Sequence, residues 1–457
     1  MDEPSVALLA QPRPVHFAHC SRRSGDIGWA QQIQWNSING LAERTSASYD
    51  ICLSVEVPAG TTVDDFIAAI GRMVSRHESL RTRFHIVDGR LVRQEVVGSG
   101  FVEVTQYHVR TGHTPTDELL RNRVGAEVLD IENGHTFRAG FVAAAGEVTH
   151  AAFDVSRIVA DAGACENVVS SFISELRAVK SGASARPEPV FQQLDQVEWE
   201  AGVEGRRAEH QALNYWREKM AMVQALPRPP VLDGGTVRSV IVSAEPVLRA
   251  ADDIARMFGA SSSGVILTAF LRAAAQTLRL DTIGCYLHSS NRSDPARQGS
   301  ITRLKNLTVL VWSPGSTDPR SAVREVFRNS LEAYRHAQSP GALFLPRLDL
   351  ASENTPFIHF NDVRSIVPMD GLKGAVHQMG PRAAVDAAKP VMKETAPGYA
   401  AGPTLNLGVG AIQGASREPI LRVETNLLRT EGISLLLERM NSFLARAVLV
   451  PSAGSQA

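Results

Sequence analysis

The residues of this chain that are equipped for chemistry lie close together in the segment SRIVADA at residues 156–162. Ser156 carries a hydroxyl that can attack a carbonyl if a base lies beside it, and none is visible in the adjacent sequence. Arg157 cannot be that base, because a guanidinium stays protonated in proteins. Its charge can instead stabilise a tetrahedral oxyanion or bind a carboxylate with two donors. It can also pair with Asp161, in which case both residues are structural.

Two histidines in the second half of the chain are further candidates for acid–base chemistry. His359 lies in the segment FIHFND at residues 357–362, which predicts a strand, and it can replace a missing base. His288 lies on another predicted strand, three residues before Asn291. A histidine titrates near neutral pH and so suits proton transfer. A packed structural role is the alternative for both.

Composition excludes several classes of function. The chain has 457 residues, more than one ordinary core supports, and this length predicts two or three domains. A net charge of -1 provides no global field that would attract nucleic acid or an anionic membrane. No apolar run approaches the ~20 residues of a membrane span. The N-terminus does not resemble a signal peptide.

The same survey predicts no bound metal or nucleotide. The four cysteines are scattered, without the spacing of a zinc site or a redox pair, and this usage fits a reducing cytoplasm. The Gly-Val-Gly at residues 408–410 lacks the remaining spacing of a phosphate-binding loop. We therefore expect a cytoplasmic protein with no bound cofactor.

The elements that must position these residues follow from periodicity in the first half of the chain. Residues 63–76 have the apolar spacing of an amphipathic helix with a threonine cap. Residues 80–94 predict a hairpin that turns at Asp88-Gly89. Residues 137–160 predict two extended segments around a turn at 145–146, and a helix follows at 165–177.

The second half repeats this interleaving of helices and strands. A Gly-, Pro- and Ser-rich stretch from Lys180 predicts a linker. Helices are predicted at 210–222, 247–258, 264–279 and 432–448; extended segments at 283–288, 307–312, 356–361, 404–409 and 419–424; and loops over 364–403. This order favours two α/β lobes. We predict an N-terminal lobe at 1–185, an interlobe linker at 186–210 and a C-terminal lobe at 211–457.

Several segments resemble signatures of the condensation domains of nonribosomal peptide synthetases. They are AQQIQW at 30–35, RHESLRTRF at 76–84, LNYW at 213–216, Asn291-Arg292 and Asn306-Leu307. The second of these is close to letter-perfect for the family. The resemblance extends over nearly the whole chain.

The segment at 156–162 falls where that family carries His-His-x-x-x-Asp-Gly. Ser156 and Arg157 replace the two histidines, and Ala162 replaces the glycine. A competing register, His150-x-x-x-Asp154, lies inside a predicted strand, where residues four apart stand ~13 Å from one another. We therefore place the motif at 156–162, without its usual general base.

The resemblance implies a chloramphenicol-acetyltransferase-like fold, an α/β (α+β) architecture of two lobes forming a V with a central tunnel. It implies that Asp161 forms a structural ion pair with Arg292, for which Arg157 can compete. Asn306 and Ala162 are implied to be structural at the same site. A backbone with positive φ at Ala162 would be strained by its Cβ.

The resemblance also implies a function. We expect a free-standing, monomeric acyltransferase of nonribosomal peptide or polyketide biosynthesis. It would transfer an acyl group from the phosphopantetheine arm of a carrier protein, acting in trans, to an amine or hydroxyl. Candidate catalytic residues are Arg157, Asp161, Ser156 and His359. The alternative is a catalytically inactive module that docks carrier proteins or tailoring enzymes.

Overall fold

A computed structural model describes most of the chain. The described residues are 8–18, 20–39, 49–109, 114–183, 190–223, 226, 228–345, 355–366, 393–399, 403–411 and 418–450. The chain divides into two compact units. Among the described residues, the first unit comprises those within 8–206 and 290–305, and the second comprises those within 207–289, 306–411 and 418–450.

The strands of the first unit form two sheets. In chain order they are β1 (Leu8–Pro12), β2 (Val15–Phe17), β3 (Arg23–Gly25), β4 (Asp50–Val55), β5 (Thr82–Val87), β6 (Arg90–Val96), β7 (Gly100–Val109), β8 (Phe137–Ala144) and β9 (Glu147–Ser156). The larger sheet has the order β1-β7-β8-β9-β4, with β2 also paired to β7, and the smaller has the order β3-β6-β5. Strands β7 and β8 are parallel, whereas β9 is antiparallel to both β8 and β4.

Five described helices of the first unit precede residue 207. They are α1 (Trp29–Asn39), α2 (Val63–Arg76), α3 (Asp117–Val124), α4 (Ala162–Lys180) and α5 (Gln193–Ala201). Helix α2 confirms its predicted bounds because its cap is encoded locally. The Thr62 side chain accepts from the Asp65 N–H at 3.1 Å, and the Asp65 carboxylate accepts from the Thr62 N–H. Such reciprocal bonds satisfy two N–H groups that a helix start leaves without partners.

The predicted hairpins are also confirmed. Asp88 and Gly89 connect β5 to β6 with φ of 50° and 73°, the positive values that a two-residue hairpin turn requires. Ala145 and Gly146 connect β8 to β9 with φ of 50° and 84°. Strand β9 therefore runs back along β8, and Ser156 stands at its end.

An aromatic cluster holds α2 and α4 against the larger sheet. Phe66 on α2 lies 5.0 Å from Phe141 and 5.1 Å from Phe172, measured between ring centroids. Phe172 on α4 in turn contacts Phe153 on β9 at 5.1 Å. All four rings are buried. This packing fixes the direction in which α4 leaves the segment at 157–161.

The second unit is built on a seven-stranded sheet. Its strands are β10 (Thr236–Ser243), β11 (Ile283–Ser289), β12 (Asn306–Trp312), β13 (Ile358–Asp362), β14 (Lys393–Tyr399), β15 (Leu405–Ala411) and β16 (Pro419–Thr425). Their order is β12-β11-β13-β15-β16-β10-β14. Strand β13 is parallel to both neighbours, and the other pairs are antiparallel.

The remaining described helices are α6 (Val203–Val223), α7 (Glu245–Phe258), α8 (Ser262–Leu278), α9 (Pro295–Gln298), α10 (Pro319–Arg335) and α11 (Thr430–Val448). Four of them supply much of the apolar core of the second unit: α7, α8, α10 and α11. Among the described helices, no single one is long and apolar enough to cross a membrane. The bent pair α7 and α8, at 107°, meets the length and composition criteria only jointly, and both helices line the core.

The structure differs from the sequence predictions in three places. The predicted linker at 186–210 contains α5 and the first turns of α6, because its apolar spacing is helical despite many charges. Residues 290–305, predicted within the second lobe, belong to the first unit. Residues 393–399, predicted as loop, form β14 by pairing with β10; most of the remaining predicted loop lies outside the described residues.

Candidate functional site

The segment at 156–162 is a tight connection between β9 and α4. Ser156 is the last residue of β9, and its carbonyl accepts from the N–H groups of Val159 and Ala160 at 3.1 and 3.0 Å. Asp161 is the N-cap of α4, with its carboxylate accepting from the Ala164 N–H at 2.9 Å. The site is therefore a turn held between a strand end and a helix start.

Ala162 is the first residue of α4 and has no positive φ. The strain that a positive φ would give an alanine at this position is therefore absent. Helical backbone geometry suits alanine better than glycine, because glycine loses more conformational freedom on folding.

The Asp161 carboxylate is saturated with donors. Oδ1 accepts from Arg292 Nη2 at 2.8 Å as well as from Ala164, and Oδ2 accepts from the N–H groups of Leu304 and Lys305, both at 2.8 Å. Burial opposes ionisation of this carboxyl. Arg292 and the N–H donors outweigh that effect and hold its pKa below the ordinary value. Asp161 is thus an ionised anchor.

The predicted ion pair between Asp161 and Arg292 is present within the first unit. Arg292 is 8% exposed, and it also donates to the carbonyls of Arg297, Ser300 and Thr302. These bonds compensate for removing a guanidinium from water. Residues 290–305 are thereby tied to the start of α4.

Arg303 holds the turn from the other end of the same segment. Its Nη1 donates to the carbonyls of Arg157 and Ala160 at 2.7 and 2.9 Å, and its Nε donates to the carbonyl of Ala30 at 3.2 Å. Its Nη2 donates to Gln34 on α1. Arg303 therefore fixes the backbone that presents Arg157.

The charge of Arg157 acts on the carboxylate of Asp50, and its competition for Asp161 stays a prediction. Its main-chain N–H donates to the Tyr49 carbonyl at 2.7 Å, which brings it beside the first residue of β4. The guanidinium there favours the ionised form of Asp50. Four donors already occupy the Asp161 carboxylate.

Lys305 is the basic residue near this turn whose pKa is lowered towards neutral pH. Its N–H donates to Asp161, and its side chain is partly buried. Burial, reinforced by the charges of Arg303 and Arg157, lowers the pKa of its ammonium to about 8, although Asp161 opposes the shift. A substantial fraction is then the neutral amine, which is a base.

Ser156 lies directly opposite Asp50 in the pairing of β9 with β4. Burial raises the pKa of Asp50 to about 6, while the Leu129 N–H, the two arginines Arg138 and Arg157, and the Ser156 hydroxyl partly offset the shift. The Ser156 Oγ accepts from the Ile158 N–H at 3.4 Å. The serine was expected to be hydrogen-bonded at a strand end, and it is, but an acidic neighbour also stands beside it.

The alternative pair, His150 and Asp154, lies within β9. Asp154 is fully buried, and within the described residues neither carboxylate oxygen has a hydrogen-bond partner. Burial, and then the charge of Asp50, raises its pKa to about 7. Because β9 is extended, the two residues do not form a compact acid–base group.

The histidines of the second unit lie on neighbouring strands. His288 Nε2 on β11 stands 3.4 Å from His359 Nδ1 on β13, and the His359 ring lies 5.1 Å from that of Tyr286. His359 is the register partner of Asn406, whose Nδ2 donates to Glu424 at 2.8 Å. A role for His359 as a base remains a prediction.

Asn306 has structural contacts within the second unit. Its Nδ2 donates to the Ser339 carbonyl, and its Oδ1 accepts from the Leu307 N–H at 2.7 Å. His77 is likewise enclosed in the first unit, where its Nε2 lies 2.8 Å from the Ser171 hydroxyl. Burial lowers the pKa of His77 to about 3, so it is neutral and structural.

Three residues of the site were not predicted. Asp50 joins Ser156 only through strand pairing, which the local sequence does not reveal. Lys305 and Arg303 flank Leu304 immediately before the Asn306-Leu307 signature, and two cations at a buried strand start were a signal that could have been used. No group of three or more metal-ligating side chains occurs in the described part of the chain.

The arrangement defines a class of protein: an α/β fold of two units with a motif turn anchored by Asp161. The family model for the condensation domain matches residues 30–355. The chain belongs to the condensation domain family. The predicted membership is confirmed.

Two curated relatives are peptide synthetases. Tyrocidine synthase 2 of Brevibacillus parabrevis is 23% identical over 319 residues, an alignment that covers 66% of this chain and 9% of that protein. Isonitrile lipopeptide synthase of Mycobacterium tuberculosis is 24% identical over 359 residues, with coverage of 75% and 14%. The chain thus spans only a small part of each of these much longer proteins.

Solved structures share the fold. One shows condensation domain-mediated chain release from the enacyloxin polyketide synthase, with a TM-score of 0.67, 19% identity, and coverage of 94% of this chain and 83% of that one. Another is the complex of the X-domain and OxyB from teicoplanin biosynthesis, with a TM-score of 0.63, 15% identity, and coverage of 99% and 97%. The predicted chloramphenicol-acetyltransferase-like fold is confirmed.

Proposed function

We propose that this protein is a condensation-type acyltransferase that uses Lys305 and Arg157 in place of the family's histidine. It takes an acyl group held as a thioester on the phosphopantetheine arm of a carrier protein and transfers it to an amine or hydroxyl. The observation that carries the proposal is the geometry that ties Lys305 to the Asp161 anchor and Arg157 to Arg303; burial and the neighbouring charges of Arg303 and Arg157 lower the pKa of Lys305 to about 8. A site that had only lost its histidine would not need this lysine.

Lys305 and Arg157 have different roles in the reaction. The acceptor nitrogen or oxygen attacks the thioester carbonyl carbon, and a C–N or C–O bond forms. Neutral Lys305 accepts the proton that the acceptor loses, and Arg157 stabilises the oxyanion of the tetrahedral intermediate. The C–S bond then breaks, and Lys305 returns the proton to the departing thiolate. Carrier and acyl product are released with no net change in protonation.

Positioning contributes as much as the side chains. Bringing a tethered thioester and an acceptor together can lower the barrier by about 7–11 kcal/mol in well-oriented cases. Arg303 and Asp161 hold the backbone of Arg157 and Lys305, so we assign them as positioning residues. We further propose that carrier proteins act in trans on a monomer.

The test is single-turnover transfer from an acetyl-loaded carrier protein to a panel of amines and alcohols. Lys305→Met should reduce the rate about 10²–10⁴-fold, the usual contribution of a general base. Lys305→Arg keeps the charge but cannot accept a proton, so it should be equally slow. The wild-type rate should rise with pH through about 8, because only the neutral amine is a base.

Two outcomes would contradict the proposal. Full activity in Lys305→Arg would show that charge alone is needed. Unchanged activity in Arg157→Met, with Arg157→Lys as the charge-preserving control, would remove the oxyanion role. Circular dichroism of each variant separates loss of chemistry from loss of fold.

A second candidate is a catalytically inactive module that docks carrier proteins or tailoring enzymes. The likeness to a structure of an X-domain in complex with OxyB favours it, since both histidines of the motif are replaced here. In that case carrier protein would bind with unchanged affinity to all the variants above. No product would form above the uncatalysed rate.

A further inference from the structure

The first unit contains a cavity at the end of β4, beside Ser156. Its volume is about 130 Å³, and the lining residues on which its chemistry depends are Trp35, Tyr49, Asp50, Asp130, Glu132 and Ser156. An engineered protein cavity of about 150 Å³ accepts benzene. The space therefore suits a molecule of about five or six heavy atoms.

Asp50 gives the cavity an unsatisfied acceptor. The residue is 4% exposed, and its Oδ2 accepts from the Leu129 N–H at 2.8 Å. Its Oδ1 has no partner at hydrogen-bonding geometry within the described residues, although the nearby Ser156 hydroxyl favours the ionised carboxylate. A buried oxygen without a donor is costly, so a ligand that brings an N–H or O–H would be stabilised there.

The charge of the lining selects among possible donors. Three carboxylates line the cavity, at Asp50, Asp130 and Glu132, and the lining residues include no lysine, arginine or histidine. Asp130 is partly engaged, since its carboxylate accepts from Asn133. Anions are disfavoured in such a site. A cation is attracted, and the rings of Trp35 and Tyr49 offer it aromatic surface.

Charged groups behind the cavity keep Asp50 ionised near neutral pH. Arg138 on β8 and Arg157 after β9 lower its pKa, whereas burial raises it to about 6. Asp154 on β9 also interacts with it, as a second acid. Below about pH 6 the protonated carboxyl loses its charge and with it the preference for a cation.

We propose that this cavity binds the ammonium group of a small primary amine, with Asp50 Oδ1 accepting one of its hydrogens. The aromatic side chains pack against its carbon atoms. Because Ser156 lies opposite Asp50 in the sheet, the cavity opens on the residue that begins the motif turn. The role of this amine as the acyl acceptor rests on the proposed function, whereas its binding does not.

The experiment is calorimetric titration of the full chain with n-butylamine hydrochloride at pH 7.5, in a buffer free of primary amines. The neutral isostere n-butanol is titrated in parallel. Asp50→Asn should weaken n-butylamine binding at least tenfold. Asp154→Asn is the matched control, a neighbouring buried strand carboxylate outside the cavity lining, and should bind within twofold of wild type.

Equal losses in the two variants, or equal affinity for amine and alcohol, would overturn the proposal. If Asp50→Asn does not fold, the wild-type protein decides. Carbon-13 NMR of the Asp50 carboxyl should show its titration moving to lower pH when n-butylamine is added. An unchanged titration would equally overturn the site.

The assay contains no carrier protein, so its outcome is separate from that of the transfer assay. Asp50-dependent binding in a protein that forms no product would leave the amine site standing and remove only its role as acceptor site. Transfer activity without n-butylamine binding would remove the amine site and leave the proposed transferase function standing.

Discussion

Two groups of buried carboxylates in the first unit have opposite environments. Asp161 receives four hydrogen bonds, one of them from its ion-pair partner Arg292, and its pKa is lowered. Asp50 and Asp154 lie on adjacent strands with unsatisfied oxygens, and their pKa values are raised to about 6 and 7. The saturated carboxylate is suited to scaffolding, whereas Asp50, which lines the cavity, can accept a ligand hydrogen and Asp154, outside the lining, can exchange a proton. Asp161, the aspartate of the family's motif, is therefore a structural residue.

Among the variants that test this comparison, Asp161→Asn should lose the most folding stability. This variant leaves the buried Arg292 guanidinium without its counter-ion, and removing one partner of a buried pair costs about 3–5 kcal/mol. Urea unfolding measures the loss. The control is Asp253→Asn, which breaks an ion pair to the exposed Arg256 and should cost at most ~1 kcal/mol. Equal losses in the two variants would mean that the Asp161 anchor is not special.

Asp154→Asn tests the same comparison through the pH dependence of folding stability. The raised pKa means that the folded protein binds a proton between about pH 4 and 7 that the unfolded chain has released. The stability contributed by protonated Asp154 is therefore lost as pH rises through that window. As pH rises from 4 to 8, the free energy of unfolding of the variant should therefore increase by a few kcal/mol relative to that of wild type, since one pKa unit corresponds to ~1.4 kcal/mol.

Denaturant unfolding at several pH values tests this expectation. Asp161 has the opposite sign: its lowered pKa gives stability that is present at neutral pH and lost only as pH falls below about 4. Parallel stability curves for wild type and Asp154→Asn would show that Asp154 titrates normally. That result would show that Asp154 does not differ from Asp161 in the way proposed.

Features encoded within a few residues were predictable from the sequence. Helix α2 follows from apolar periodicity and the cap at Thr62, and the turn at Asp88-Gly89 follows from residues that accept positive φ. The pairing of Asp161 with Arg292 followed from resemblance, not from local pattern. The family and fold class were available for the same reason.

Features that depend on distant pairing were not predictable. Asp50 is an ordinary polar residue of a strand until β9 places Ser156 opposite it. Lys305 acquires its lowered pKa from burial and from Arg303 and Arg157, and only the folded chain brings Arg157 near it. Strand β14 exists because β10 supplies its partner, although its sequence favours turns.

The smallest expected effect concerns the third altered position of the motif. Ala162→Gly restores the residue that the resemblance gives for active relatives, but Ala162 already has helical geometry as the first residue of α4. Glycine in a helix costs about 0.5–1 kcal/mol, and less at a first residue, so the variant should lose a few tenths of a kcal/mol and gain no transfer activity. Gly341→Ala is the contrasting control. Its φ is +52°, and an added Cβ would stand 2.5 Å from Asn306 Oδ1, so it should be more destabilising. A higher transfer rate in Ala162→Gly would mean that the turn adopts a second backbone geometry during catalysis. Asp161 would then move with the turn and would no longer be a fixed structural anchor.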